Sequence, residues 1–139
     1  MGGDGHDRLY GKQGNDVLNG GDGSDRLYGD AGRDRLYGGR GNDLMVGGAG
    51  RDTLTGGQGR DRFTYLSRND FQDVISDFEI LKDRIDLSHI QGISSMRDLR
   101  LVQQGDDVLL KVQAGAGFQL AATLEDVQAS TLKQGHFIL

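Results

Sequence analysis

Seven consecutive nine-residue units occupy positions 2–64, and their shared register leaves little freedom in what this half of the chain can become. They read GGDGHDRLY, GKQGNDVLN, GGDGSDRLY, GDAGRDRLY, GGRGNDLMV, GGAGRDTLT and GGQGRDRFT. Positions one and four are glycine in every unit. Position six is always aspartate: Asp7, Asp16, Asp25, Asp34, Asp43, Asp52 and Asp61. Position eight is always apolar: Leu9, Leu18, Leu27, Leu36, Met45, Leu54 and Phe63. Position two alone departs from glycine, at Lys12 and Asp30. A flexible glycine-rich linker has no need for an apolar residue at every ninth place, so the period marks a folded repeat array.

The last three positions of each unit set an apolar residue between two mostly polar ones. That is strand alternation, with position eight inward and positions seven and nine outward. The first six positions read as a turn, where glycine permits positive φ and close backbone approach. Strand, turn, strand, turn closes a coil of 18 residues, so alternate units stack on the same side about 4.8 Å apart. Stacking aligns Asp7, Asp25, Asp43 and Asp61 in one row and Asp16, Asp34 and Asp52 in another. Two carboxylates about 5 Å apart repel by about 3 kcal/mol at an effective dielectric of about 20. A divalent cation between successive turns removes that repulsion. Loop carbonyls would complete an all-oxygen shell of about six ligands, which suits calcium better than zinc or copper. Seven loops give five same-side pairs, so about five calcium ions are expected in the repeats.

Of the 24 glycines, 19 lie at or before Gly59. Residues 1–64 hold ten Asp, no Glu and nine Lys or Arg, a formal charge of −1. Short carboxylates are thus used in place of long ones, as a tight loop or oxygen-ligand site demands. There is no cysteine, which excludes disulfides and thiolate metal sites. No apolar run approaches the roughly 20 residues that span a bilayer. An HExxH helix, a GxSxG elbow and a Gly-Lys-Ser/Thr phosphate loop are all missing from the sequence, and no catalytic site is expected. The start inside a repeat reads as a module cut from a larger secreted enzyme, toxin or adhesin.

These nonads resemble the RTX (hemolysin-type calcium-binding repeat) family, continuously over residues 2–64. The resemblance implies an all-β, right-handed parallel β-roll (a β-solenoid) with a carboxyl-terminal β-rich cap. It implies calcium held by the seven position-six aspartates and by carbonyls around Gly5, Gly14, Gly23, Gly32, Gly41, Gly50 and Gly59. It further implies a secreted, extracellular protein. Such a chain stays unfolded where calcium is scarce, passes a type I secretion apparatus, and condenses outside. Affinities of extracellular calcium modules, about 10⁻⁴–10⁻³ M, would suffice there.

Residues 65–139 read as a capping segment. Asp73-Val-Ile-Ser-Asp77-Phe78 and Asp83-Arg-Ile-Asp86-Leu-Ser88 resemble the stretch that follows the repeats in RTX proteases and alginate epimerase modules. Phe71, Val74, Ile75, Phe78, Ile80, Ile85 and Leu87 are apolar enough to close the last coil, which otherwise exposes core and strand edges. Asp73, Asp77 and Asp86 read either as turn and capping residues or, by resemblance, as ligands of one or more terminal calcium ions. Positions 94–101 read as a short helix entry, and 106–112 and 118–121 as strands. The tail from Leu124 resembles the end of type I secreted proteins, where an uncleaved secretion signal sits; a final strand packed on the cap is an equally open reading and does not exclude the first.

Outward positions suggest a second function. Arg8, Tyr10, Arg26, Tyr28 and Arg62 share one sheet, and Arg35 and Tyr37 the other. Five calcium ions would carry the repeat segment from −1 to about +9, and a basic, tyrosine-lined face attracts polyanions. The alternative to a plain folding module is therefore one that binds an anionic polysaccharide such as alginate. A nucleic-acid partner is not expected, and a monomer is.

Overall fold

Each nonad folds as a turn followed by a short strand, and the strands stack in two parallel sheets. The computed structural model describes all 139 residues. In chain order the strands of the repeats are β1 (Gly3–Asp4), β2 (Arg8–Tyr10), β3 (Val17–Asp22), β4 (Arg26–Tyr28), β5 (Ala31–Gly32), β6 (Arg35–Arg40), β7 (Leu44–Val46), β8 (Ala49–Gly50), β9 (Thr53–Gln58) and β10 (Arg62–Thr64). Pairing follows the 18-residue coil. Leu9 sits beside Leu27 and Leu27 beside Met45 on one side, and Leu18 beside Leu36 and Leu36 beside Leu54 on the other. The expected parallel β-roll is what forms.

The cap continues both sheets. β11 (Asp73–Ile75) pairs in parallel with β9, and β12 (Arg84–Asp86) with β10. Three longer antiparallel strands follow: β13 (Leu99–Gln104), β14 (Asp107–Ala114) and β15 (Gly117–Leu124). Two-residue turns join them, with positive φ at Gly105 and Gly115, as tight hairpins require. β15 pairs in parallel with β11, so the first sheet runs β1-β3-β6-β9-β11-β15-β14-β13. The last strand, β16 (Phe137–Ile138), adds to β12 and completes the order β16-β12-β10-β7-β4-β2. The tail therefore packs as a final strand.

Inward position eight supplies a column of side chains between the sheets. Leu27, Leu36, Met45, Leu54 and Phe63 are buried, and Leu9, at the open end, only partly so. The column runs without a break into Ile75, Phe78, Ile85, Leu87, Val108, Leu110, Leu124 and Phe137 of the cap, within one apolar cluster of 24 buried residues. The helix entry expected at 94–101 is a single 3-10 turn, Met96–Asp98, capped by Ser95, whose hydroxyl accepts the Arg97 N–H. Leu99 and Leu101 then alternate along β13 against Val112 and Leu110. In so short an apolar run, sheet pairing overrides a helical start.

Candidate metal centre

Both aspartate rows form, and each rung is tied to the next by its own backbone. The Asp7 N–H donates to Oδ1 of Asp25 at 2.7 Å, Asp25 to Asp43 at 2.7 Å, and Asp43 to Asp61 at 2.9 Å. Across the roll, Asp16 donates to Asp34 at 2.7 Å and Asp34 to Asp52 at 2.8 Å. One oxygen of each carboxylate from Asp25 onward is thus spent on holding the stack. The other is not: Oδ2 of Asp7, Asp16, Asp25, Asp34, Asp43, Asp52 and Asp61 is buried without a hydrogen-bond partner. A buried polar atom left unpaired costs about 1–3 kcal/mol, and more when charged. Native proteins carry only a few such atoms, so seven in register call for a common partner.

The glycines define the space around these oxygens. A Cβ on Gly11 would lie 2.6 Å from the carbonyl oxygen of Gly29 in the next coil and 3.1 Å from Asp16 Oδ2. Gly2, Gly20, Gly29 and Gly38 repeat this arrangement, each facing the Oδ2 of its own unit and the position-one carbonyl of the coil above. Position one is glycine because a side chain would fill that cradle. Position four is glycine for a different reason: Gly5, Gly14, Gly23, Gly32, Gly41, Gly50 and Gly59 all hold positive φ, and a Cβ on Gly23 would overlap the Gly5 carbonyl. The carbonyls of Gly5, Gly14, Gly23, Gly41 and Gly59 accept no hydrogen bond. Carbonyls of positions one and four therefore both line the loops, of which sequence reading singled out only the second.

No three His, Cys, Asp or Glu side chains converge on one point. The available donors are instead carboxylate and carbonyl oxygens mixed, the donor set of a hard cation. The residues present fit calcium. With protein atoms alone around them the carboxyls are strained toward neutrality. Burial raises Asp34 and Asp43 above the ordinary carboxyl value, opposed by the N–H of the rung before and reinforced by that rung's charge. The same causes push Asp52 up to about 6, Asp61 to about 7 and Asp73 to about 8.

Beyond the repeats the rows gain one rung each. The Asp52 N–H donates to Asp73 Oδ1 at 2.9 Å, and Asp73 Oδ2 is buried and unpartnered like those before it. On the other side the rung is Asp83, which sequence reading did not single out as a ligand: Asp61 N–H donates to its Oδ1 at 2.9 Å. The intervals are 21 and 22 residues in place of 18. A 3-10 turn at Arg68–Asp70 and a turn closed by Lys82 and Asp83 N–H bonds to the Glu79 carbonyl take up the difference. Asp83 Oδ2 accepts the Glu79 N–H at 2.8 Å, so this row ends in a protein hydrogen bond. Asp77 lies beside it, with its two oxygens accepting the Gly56 and Gly57 N–H groups at 2.8 Å each. Asp86 accepts from Ser88 and stands 3.9 Å from Arg62.

On the outer faces Arg8 stands beside Arg26, and Tyr10 stacks on Tyr28 with ring centroids 4.9 Å apart. Leu44 interrupts the arginine row, which resumes at Arg62 and extends to Arg84 in the cap. Arg35 and Tyr37 lie on the other sheet, flanked by Val17 and Asn19 and by Thr53 and Thr55.

Stacked loops that present rows of unpartnered carboxylate oxygens beside free carbonyls define a cation-binding β-solenoid. The family model for the RTX calcium-binding nonapeptide repeat (4 copies) matches at residues 1–36, 28–63 and 37–71, and the chain belongs to this family. Among solved structures it is similar to the R3 subunit of the AlgE6 mannuronan C5-epimerase of Azotobacter vinelandii, with 35% identity over 99% of this chain and 80% of that one, at a TM-score of 0.57. It is similar to the R2 subunit of the same enzyme, with 30% identity over 99% of this chain and 90% of that one, at 0.67. It also resembles the extracellular lipase LipA of Serratia marcescens, with 28% identity over 91% of this chain at 0.66, but spans only 20% of that lipase. Comparison with curated protein sequences finds no match.

Proposed function

We propose that this chain is a non-catalytic module that folds when it binds calcium outside the cell, and so supports the secretion, folding and stability of a larger extracellular protein. One observation carries the reading: every repeat holds a buried Asp Oδ2 with no partner in the protein. Calcium supplies the positive charge these oxygens lack, while the chain's own part is to hold the carbonyls and carboxylates in register. Because the rows exist only in the coiled state, binding free energy becomes folding free energy. Where calcium is scarce the chain stays extended enough for a type I apparatus, and outside the cell it condenses. Far-UV circular dichroism tests this directly. A spectrum without β structure in chelator, restored by millimolar calcium, supports the reading; a native spectrum in chelator refutes it.

A second reading rests on the outer face. The Tyr10–Tyr28 stack beside Arg8 and Arg26, with Arg62 and Arg84 on the same sheet beyond the break at Leu44, offers flat aromatic surface and positive charge. Two of the similar structures are subunits of a mannuronan C5-epimerase, which makes a polyuronate the polymer to try. Calorimetry with alginate oligomers at fixed calcium decides: heat that disappears in an Arg8→Ala, Arg26→Ala double variant supports it, and no heat removes it.

A further inference from the structure

We propose that the corner of the roll where Arg33, Arg35 and Arg51 line one cleft is a binding site for a tetrahedral oxyanion, a sulfate or phosphate group either free or carried as an ester. It lies apart from the Tyr10–Tyr28 stack of the other sheet. It rests on the calcium-binding reading above only in needing a roll folded and neutralised by calcium.

Position five of the repeats forms a ladder of its own. The Ser24 N–H donates to Nδ1 of His6 at 2.8 Å, and the Arg33 N–H to Oδ1 of Asn15 at 2.8 Å. The Asn42 N–H donates to the Ser24 hydroxyl at 3.1 Å, and the Arg60 N–H to Oδ1 of Asn42 at 2.8 Å. Beyond the first coil, each position-five amide is thus taken by the side chain one coil before it, with one exception. Arg51 follows Arg33, whose guanidinium has donors and no acceptor, and the Arg51 N–H has no hydrogen-bond partner in the chain.

What the ladder lacks at this step is an acceptor, and the side chains around the gap are cations. Gly32 pairs with Gly50 and Arg35 with Thr53, so Arg33 and Arg51 sit in register between them, about 4.8 Å apart along the stack. Both line a cleft of about 420 Å³ together with Arg35. Elsewhere Arg40, Arg62, Arg68 and Arg84 find partners within the chain. The guanidiniums of Arg33, Arg35 and Arg51 find none. Arg33 and Arg51 also line a second cleft with Arg68, whose Nη1 is buried and unpartnered.

Asp34 and Asp52 belong to the wall of the first cleft, but their Oδ2 atoms crowd the position-one cradles at Gly29 and Gly47, where calcium neutralises them. No glycine lines that cleft, so the cation and anion sites do not coincide. Like charges stacked in register repel, and an anion between them removes the repulsion. Guanidinium forks match the oxygens of sulfate and phosphate two at a time. One further oxygen takes at the Arg51 N–H the place that Asn15 Oδ1 takes at the Arg33 N–H. The opposite row has an acceptor at every step, so it offers no second site of this kind.

Sulfate is the probe, because calcium phosphate is poorly soluble. Calorimetry of the whole chain in saturating calcium at low ionic strength should show a single sulfate site, and the Arg51 amide should move downfield in proton–nitrogen correlation spectra over the same titration. Arg33→Asn removes a charge and returns an acceptor to the Arg51 N–H. It should fold in calcium as readily as the parent chain, yet bind sulfate at least about tenfold more weakly. Arg60→Ala, at position five of the opposite row, should bind sulfate as the parent does. Glucose 6-sulfate separates the two sources: binding tighter than that of sulfate assigns the site to an ester, and weaker binding to the free anion. Sulfate binding unaltered in Arg33→Asn, or equally weakened in Arg60→Ala, overturns the proposal. So does the absence of binding by both probes to a chain that calcium folds, and the calcium reading stands in each of these cases. A chain that calcium does not fold overturns the calcium reading and this proposal with it.

Discussion

Asp43 accepts the backbone N–H of Asp25 through Oδ1 at 2.7 Å, while Oδ2 of the same carboxyl group is buried and bonded to nothing. The two oxygens divide the labour of the repeat: one fixes the rise from coil to coil, and the other awaits a positive charge. Asp43→Asn separates these tasks. The amide oxygen can still accept from Asp25, but the charge is gone. Calorimetry should show lower calcium affinity at the sites on that row, and circular dichroism in chelator should show a folded state less disfavoured than in the parent chain. A parallel loss of both would mean that the carboxylate acts only as a structural acceptor.

Position one tests the cradle. Gly38→Ala puts a methyl group where Asp43 Oδ2 and the Gly56 carbonyl already crowd, and calcium-dependent folding should be severely impaired. Gly117→Ala meets nothing within 4 Å and should change stability by no more than about 0.5 kcal/mol. Equal effects in a calcium titration monitored by circular dichroism would show that the crowding does not matter.

Lys12 holds φ at 78° where every other unit but that of Asp30 has glycine, and a left-handed L-residue costs about 1–2 kcal/mol. Glycine is more flexible when unfolded, so Lys12→Gly should gain somewhat less than this, measured as a shift of the urea midpoint in saturating calcium. A loss of stability would show that the lysine contributes contacts that outweigh its strain.

Asp77→Ala removes the acceptor for two N–H groups, and should cost about 2–4 kcal/mol without lowering the number of calcium ions bound at saturation. A drop in stoichiometry measured by equilibrium dialysis would instead make Asp77 a ligand.

Acid should act in opposite directions with and without calcium. Burial, offset by the N–H of the preceding rung and reinforced by neighbouring charge, holds Asp52 at about 6, Asp61 at about 7 and Asp73 at about 8, against 3.8 for an ordinary aspartate. A carboxyl raised on folding binds its proton more tightly in the folded state. Its contribution is therefore present at low pH and is lost as pH rises through the folded value. In chelator, lowering the pH from 8 to 5.5 should increase β structure. In calcium, protons compete for the same oxygens, and the midpoint of the calcium titration should rise over that interval. Less structure in chelator at pH 5.5 than at pH 8 would contradict this.

Much of this architecture was legible because the period is strict. An apolar residue at each eighth place and an aspartate at each sixth fix which side chains enter the core and which form rows. The readable part ends where the period does. Asp83 extends a row only after four extra residues, and Asp73 only after three, so neither offset follows from the repeat. Tyr65 breaks the glycine pattern, yet its N–H donates to the Asp86 carbonyl of the next coil as those of Gly11 and Gly29 do to Tyr28 and Val46. Residue types also say nothing of where a carbonyl points, which left the position-one carbonyls unnoticed beside those of position four. Leu99 and Leu101 suit a strand or a helix equally, and pairing with β14 decided between them.

The most direct test is a crystal grown in calcium or terbium with anomalous diffraction recorded from the metal. The expected map shows at least five cations in two lines, each against the Oδ2 atoms of successive aspartates such as Asp25 and Asp43. A roll that keeps its fold with no anomalous peak at those oxygens would contradict the claim that a cation compensates them.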